Sequence, residues 1–214
     1  MASLAEDLFV LACHDTTGRM LIPTTHLDLG LGGALLLDLA LRDRVALVDS
    51  HVVVTDKTPT GDPLLDAALT MIAGDAKERD PDHWVRRLAK GARSAVQDGL
   101  ISAGVLRLED HKVLGLIPVH HRHQADDRIE HELVRHLYDA VVLGHPPSGE
   151  TAAVVSLALA VGLERHLFPR SDCRAVQHRM QEIADGQWVG AAVRQAITGV
   201  NAALGITTAG VREL

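Results

Sequence analysis

Cationic side chains at helical spacing are the strongest candidate for binding chemistry in this sequence. Arg86, Lys90 and Arg93 occur at i, i+4 and i+7, so that on a helix they share one stripe, and Arg87 is adjacent. Arginine can hold a phosphate group through paired hydrogen bonds, and the chain is otherwise acidic, with a formal net charge of −7. We therefore interpret the stripe as a candidate phosphate site. The alternative is a solvated helix face whose cations pair with the protein's own carboxylates.

Histidine clusters are the second candidate for chemistry. His120, His121 and His123 lie shortly before Asp126 and Asp127, and imidazole combined with carboxylate can bind a metal ion. No second cluster of ligands is visible elsewhere in the sequence. A polar strand end that leads into a capped helix explains the same residues, and we prefer this interpretation.

The remaining motifs do not support catalysis. His131 and His136 imitate a zinc-protease helix, but ligands on one face require i, i+4, and these histidines are at i, i+5. The run GLGG at 30–33 imitates a dinucleotide-binding turn, but Leu35 stands in place of the third glycine. Thr58–Asp62 lacks the Gly-Lys-Ser/Thr ending of a phosphate loop. We predict no catalytic residues, no bound metal and no cofactor, and hence a protein that is not an enzyme.

The elements expected to position these residues are mostly helices. Ser3 and Glu6 form a capping-box pattern at the start of the first helix. A second helix, over about 24–41, is apolar nearly all round and should be the buried centre of the fold. A long helix, expected over Asp82–Ala103 with Asp82 as its cap, carries the cationic stripe. Further helices are predicted at Leu64–Ala73, from Asp126 onwards, and at Thr151–Leu163, Ser171–Ala184 and Val189–Leu204.

Two short antiparallel β-hairpins are expected between the helices. The runs Arg44–Asp49 and His51–Thr55 have β-strand character and almost touch, which favours a tight turn. The runs Val105–Leu108 and Lys112–Val119 should form the second hairpin, with its turn at Glu109–His111. Apolar residues fall on both faces of its later strand, so that this hairpin is either deeply covered or projects and packs on another molecule. The residues concerned are Val113, Leu114, Leu116 and Ile117.

Composition limits the class of protein. The chain has 214 residues, of which 47% are hydrophobic and only 2% aromatic, and this favours helices packed through Leu, Val and Ala. The net negative charge argues against a generally basic nucleic-acid-binding protein. Cys13 and Cys173 have no metal-binding or redox spacing, and the first residues lack the basic segment of a signal peptide. We expect a single domain over residues 1–214, of mainly α (α+β) class, in the cytoplasm.

Several segments resemble the Golgi phosphoprotein 3 family, in order and at similar spacing. They are Leu4–Gly18 (LAEDLFVLACHDTTG), Gly33–Arg44 (GALLLDLALRDR), Pro59–Leu69 (PTGDPLLDAAL) and Val113–Val119 (VLGLIPV), and Leu157–Phe168 is similar to a late helix of the family. The most specific piece is Pro-Thr-Gly-Asp followed by Leu-Leu-Asp. The resemblance covers most of the chain and implies a mostly helical domain with a projecting β-hairpin.

The same resemblance implies a peripheral membrane protein. Eukaryotic members of the family bind phosphatidylinositol 4-phosphate and hold glycosyltransferases in the Golgi through their cytosolic tails, and the hairpin supports self-association. Their lipid pocket combines a Trp and an Arg around the second helix with two cations on the long helix. The two cations fall on Lys90 and Arg93 of this sequence, whereas Pro23 and Gly32 occupy the positions of the Trp and the other Arg. Loss of an interfacial Trp should weaken membrane docking, and the compact sequence looks like a bacterial-type member.

Three functions follow as hypotheses. The first is a peripheral adaptor that binds a phosphorylated lipid headgroup, similar to phosphatidylinositol 4-phosphate, or another anionic surface at the cytoplasmic face of a membrane. Its further partners are protein tails and other copies of the chain, which the second hairpin would join. Its headgroup-binding residues would be Arg86, Arg87, Lys90 and Arg93. The second hypothesis is a protein-interaction scaffold that has lost lipid binding, and the third is a metal-dependent enzyme that uses the segment His120–Asp127.

Overall fold

The predicted class, mainly helical with two small antiparallel hairpins, is confirmed. The computed structural model describes residues 3–14, 18–113, 117–124, 127–169 and 173–185, together with Ala191, and between 107 and 129 it describes the backbone alone. Within these residues the helices are α1 (Leu4–Leu11), α2 (Thr24–Leu41), α3 (Pro63–Ala73), α4 (Pro81–Leu88), α5 (Ala92–Ser102), α6 (Asp127–Val141), α7 (Gly149–Val161), α8 (Glu164–Leu167) and α9 (Cys173–Ala184). The strands are β1 (Val45–Val48), β2 (His51–Val54), β3 (Leu106–Val113) and β4 (Ile117–Gln124), paired as β1–β2 and β3–β4. The helix predicted at Val189–Leu204 lies outside the described residues.

Helix α2 is the buried centre of the fold, as its apolar sequence predicts. Every residue from Leu27 to Leu39 is buried except Asp28, which is half-buried. A helix that is apolar on all sides can hide its surface only by being surrounded. Helices α1, α3, α4, α5 and α7 accordingly contact α2.

Helix ends and turns follow local chemistry. At the start of α1, the Ser3 hydroxyl accepts a hydrogen bond from the N–H of Glu6 at 3.3 Å, and the Ser3 N–H donates to Glu6 Oε2 at 2.8 Å. This confirms the predicted capping box. Asp49 and Ser50, between β1 and β2, both have positive φ angles, 47° and 65°, as the mirror-image turn of a two-residue hairpin requires.

The prediction of one long helix over Asp82–Ala103 is wrong, because the chain forms two helices there, α4 and α5, with a turn between them. Gly91 adopts a left-handed conformation with φ 81°, which side chains rarely adopt and glycine adopts freely. The cap is Asp80, two residues earlier than the expected Asp82. Asp80 accepts a hydrogen bond from the N–H of His83 at 2.7 Å, and Pro81 occupies the first helical position.

The second hairpin is longer than predicted and turns later. Leu106 pairs with Gln124 and Val113 pairs with Ile117, so the chain turns between the last two residues rather than at Glu109–His111. The polar run that suggested a turn is therefore a paired strand segment. Val113 and Ile117 lie at the end of the hairpin that adjoins this turn, whereas Leu114 and Leu116 lie outside the described residues.

Candidate anion-binding site

Helix α4 presents the first part of the cationic stripe because its opposite face is anchored in the core. Trp84, Val85 and Leu88 are buried. Arg86 and Arg87 lie in the last turn of α4 and are half-buried, with the guanidinium of Arg87 at 5.3 Å from the centre of the Trp84 ring. We call residues 86–93, which run from this turn into the first turn of α5, the α4–α5 junction.

Both arginines of α4 contact carboxylates of the protein itself. Arg86 Nε lies 2.9 Å from Asp82 Oδ2, one turn earlier in the same helix. Arg87 Nη1 lies 2.8 Å from Asp75 Oδ2, in the connection before α4. The pKa of Asp75 is lowered, first by the hydrogen bond from the backbone N–H of Lys77 and then by the charges of Arg79 and Arg87. These two cations are therefore partly neutralised where they stand.

Arg93 forms an ion pair between helices. Its Nε lies 2.9 Å from Oδ1 of Asp28, which is on α2. Both side chains keep substantial exposure, 40% for Arg93 and 32% for Asp28. This pair places an acidic group beside one of the two cations that the family resemblance assigns to the lipid pocket.

Lys90 is the cation of the junction that has no carboxylate partner within the described part of the chain. It lies in the turn between α4 and α5 and is exposed. A lysine ammonium in this setting is a hydrated point charge that can approach an anion without first breaking an ion pair.

Gly32 shows why the junction lacks a further cation. The residue lies where α2 crosses α4, and a Cβ atom there would overlap the carbonyl oxygen of Val85 and lie 2.7 Å from the amide nitrogen of Ala89. No side chain fits this position while the two helices keep their present separation. Pro23, at the other position where the resemblance places a pocket residue, directly precedes α2 and is exposed.

The arrangement of the stripe differs from the one that sequence spacing indicates. Arg86 and Arg87 end α4, Lys90 lies in the turn, and Arg93 begins α5, so the four cations do not share one continuous helix. Their assignment to a lipid headgroup stays a prediction. Of the partner carboxylates, Asp82 has a local signal, its i, i+4 spacing to Arg86. Asp28 and Asp75 are distant in sequence from the arginines that they contact, and spacing gives no sign of them.

A separate cavity of about 690 Å³ is lined by residues of α1, α3 and α5, by Arg42 directly after α2 and by the loop before α3, with no lining residue from the junction. Asp66 holds this loop, because its Oδ1 accepts hydrogen bonds from the N–H and the hydroxyl of Thr60 at 2.6 and 2.7 Å. Asp62 Oδ1 accepts from the N–H of Leu64 at 2.8 Å, so that Asp62 caps the start of α3. Thr60, Gly61 and Asp62 of the Pro-Thr-Gly-Asp run thus line a cavity, a role that their spacing does not indicate.

The described residues give no support to the hypothesis of a metal site. No group of three or more His, Cys, Asp or Glu side chains in those ranges could hold a metal ion. His120, His121 and His123 belong to β4, paired with β3, and their side chains lie outside the description. None of the helices among the described residues is long and apolar enough to cross a membrane.

Comparison with known proteins agrees with the sequence resemblance. The profile of the Golgi phosphoprotein 3 (GPP34) family matches residues 4–200. Vacuolar protein sorting-associated protein 74 of Eremothecium gossypii is 27% identical over 131 residues, which cover 50% of this chain and 39% of that protein. The chain therefore spans well under half the length of this curated relative. Since the profile covers most of the sequence, this protein belongs to the Golgi phosphoprotein 3 family.

Proposed function

We propose that this protein is a peripheral adaptor that binds a phosphorylated lipid headgroup, or another anionic membrane surface, through the α4–α5 junction. Membership of a Golgi-associated adaptor family supports the adaptor role. The observation that carries the membrane contact is Lys90, which is exposed in the turn and has no carboxylate partner among the described residues. Arg86, Arg87 and Arg93 add partly exposed guanidinium groups in the adjoining helical turns.

The ion pairs of these arginines weaken an anion contact but do not block it. Their side chains are between 38% and 42% exposed. Ion pairs at such exposure contribute about 0–1 kcal/mol, so a phosphate oxygen can replace a carboxylate oxygen at small energetic cost. A Lys or Arg close to an anionic membrane contributes about 1 kcal/mol, which decreases with salt. We expect moderate affinity that depends strongly on ionic strength.

The second candidate function is a protein scaffold that does not bind lipid. The ion pairs Arg86–Asp82, Arg87–Asp75 and Arg93–Asp28 favour it, and so does the closed helix crossing at Gly32. In both functions we propose that the β3–β4 hairpin joins copies of the chain. Protein tails are the other partners that we propose.

Vesicle flotation distinguishes the two functions. Wild-type protein is mixed with vesicles of phosphatidylcholine alone, or of phosphatidylcholine with phosphatidylinositol 4-phosphate or phosphatidylglycerol, at low and high salt. The variant Lys90→Ala/Arg93→Ala tests the junction. The control Arg19→Ala/Arg165→Ala removes the same charge from exposed positions outside it.

If the protein is a membrane adaptor, wild type and control should float with anionic vesicles, and the junction variant should remain in the unbound bottom fraction. Equal flotation of both double variants would reject the junction as the site. If nothing floats while a protein partner is recovered without lipid, the scaffold is the better description.

A further inference from the structure

Asp28 is an acidic residue placed against the cations of the proposed site. It is the half-buried member of an otherwise buried stretch of α2, and its carboxylate reaches across to Arg93 on α5 at 2.9 Å. Gly32 follows Asp28 at i+4, hence on the same side of α2, where that helix meets α4. The side of α2 that adjoins the junction therefore presents one carboxylate and no cation from these two positions.

The contact between Asp28 and Arg93 is a poor structural ion pair. Asp28 Oδ1 is buried, yet its approach to Arg93 lacks the alignment of a hydrogen bond. Burial raises the pKa of Asp28, and the charge of Arg93 and its short side-chain contact oppose this effect only in part. A carboxylate that is well stabilised by hydrogen bonds and nearby cations has a lowered pKa, as Asp75 has in this protein. The fold thus keeps a carboxylate beside Arg93 although partial burial disfavours its charged form.

The charges of three neighbouring side chains at the junction, Lys90, Arg93 and Asp28, limit which anions the site can bind. Lys90 and Arg93 are positive and Asp28 is negative, so the group has a single net positive charge. The helix crossing at Gly32 leaves no room for a further cation. A phosphodiester carries one negative charge, whereas a phosphomonoester carries about 1.5 to 2 at neutral pH and meets correspondingly stronger repulsion from Asp28.

We propose that Asp28, by occupying Arg93, restricts the junction to membrane phosphate groups that carry one negative charge, such as the phosphodiester of a phosphatidylglycerol headgroup. This inference rests on the proposed function and names its ligand class. Asp28 then acts as a specificity-determining residue of the site, because it disfavours phosphomonoester headgroups without preventing contact with an anionic surface.

The test measures vesicle affinity of wild type, Asp28→Asn and the control Asp98→Asn, which makes the same charge change at an exposed position of α5. Vesicles contain phosphatidylglycerol or phosphatidylinositol 4-phosphate at matched surface charge. Wild type should bind the phosphatidylglycerol vesicles more tightly than the phosphatidylinositol 4-phosphate vesicles, and equal binding would contradict the proposed selectivity. Asp28→Asn should bind the phosphatidylinositol 4-phosphate vesicles about five- to tenfold more tightly, with a smaller gain on phosphatidylglycerol, and Asp98→Asn should resemble wild type.

A double-mutant cycle locates the effect. In an Arg93→Gln background the gain from Asp28→Asn should shrink, because the freed cation is absent and only the relief of repulsion from Asp28 remains. Asp28→Ser, neutral but shorter, should reproduce the gain if charge rather than side-chain shape is responsible. Free inorganic phosphate should not displace wild type from phosphatidylglycerol vesicles. Displacement would show that the site takes a soluble phosphate and would overturn the proposal.

The outcomes separate this inference from the function on which it rests. If wild type binds anionic vesicles but Asp28→Asn gains nothing, or no more than Asp98→Asn, the role of Asp28 is rejected and the adaptor stands. If only Asp28→Asn binds, Asp28 blocks the site altogether, and both the proposed selectivity and lipid binding by the wild-type protein are rejected. If neither binds, both fail.

Discussion

Replacing Gly32 by alanine tests the close approach of α2 and α4 that shapes the candidate site. Alanine is favoured over glycine inside a helix by about 1 kcal/mol. At Gly32, however, the added methyl group meets the backbone of Val85 and Ala89, which cannot rotate away as a side chain could. Overpacking of this kind costs about 1–3 kcal/mol and occasionally more. We expect the steric cost to exceed the helix gain, so Gly32→Ala should lower the free energy of unfolding.

Gly99→Ala is the matched control. Gly99 lies within α5, and the nearest atom to its added Cβ is Glu6 Oε1 at 3.9 Å, an ordinary contact. The same chemical change should here raise stability by about 0.5–1 kcal/mol. Both variants are measured by urea unfolding followed by circular dichroism, where an unchanged m value shows that only stability has changed. Each kcal/mol should shift Tm by about 2–4 °C for a chain of this size. A Gly32→Ala variant as stable as Gly99→Ala would refute the close crossing.

Three further outcomes are expected. Asp80→Ala removes the cap of α4 and should lower stability by about 1 kcal/mol in the same unfolding assay, whereas Asp82→Ala should leave the cap in place. Burial, then the charges of Glu6, Glu150 and Asp38, raise the pKa of Asp7 to about 6 from an ordinary 3.8. The folded protein therefore binds this proton more tightly than the unfolded chain, and stability should fall, by up to about 3 kcal/mol, as pH rises through this interval. Urea unfolding of Asp7→Asn across that interval should show a flatter profile, and an identical profile would contradict the pKa. Val113→Ser/Ile117→Ser, at the turn end of the β3–β4 hairpin, should shift sedimentation towards the monomer, and an unchanged sedimentation profile would argue against this interface.

Local sequence signals predict the parts of the fold that depend on neighbouring residues. The apolar character of 24–41 predicts a helix that is buried on all sides, and α2 is buried in this way from Leu27 to Leu39, except at the half-buried Asp28. Ser3 with Glu6 and Asp62 with Pro63 are start signals whose hydrogen bonds form within one helical turn. In these places the physical cause lies within a few residues, so the pattern predicts the structure.

Features that depend on distant packing could not be predicted in this way. Gly91 is a single glycine within a helical pattern, which a continuous helix tolerates, and the left-handed turn there has no separate local signature. The polar run at Glu109–His111 suggested a turn because its pairing with β4 is invisible in the sequence. The contact of Asp28 with Arg93 joins two helices that are far apart along the chain. Sequence spacing therefore identifies the cations of the site, but it does not identify Asp28 and Asp75, the distant carboxylates that pair with two of them.

The break between α4 and α5 has an effect on the backbone as well as on side chains. In a continuous helix, the amide groups near Arg93 would be bonded to carbonyl groups one turn earlier. Because α5 begins at Ala92 after Gly91, its start has no side-chain cap, although the N–H of Ala92 donates to the carbonyl oxygen of Ala89 at 3.3 Å. The positive end of the α5 dipole therefore lies beside Lys90 and Arg93. The turn that interrupts the cationic stripe thus gives the α4–α5 junction a partial positive charge that belongs to the backbone and does not change with pH.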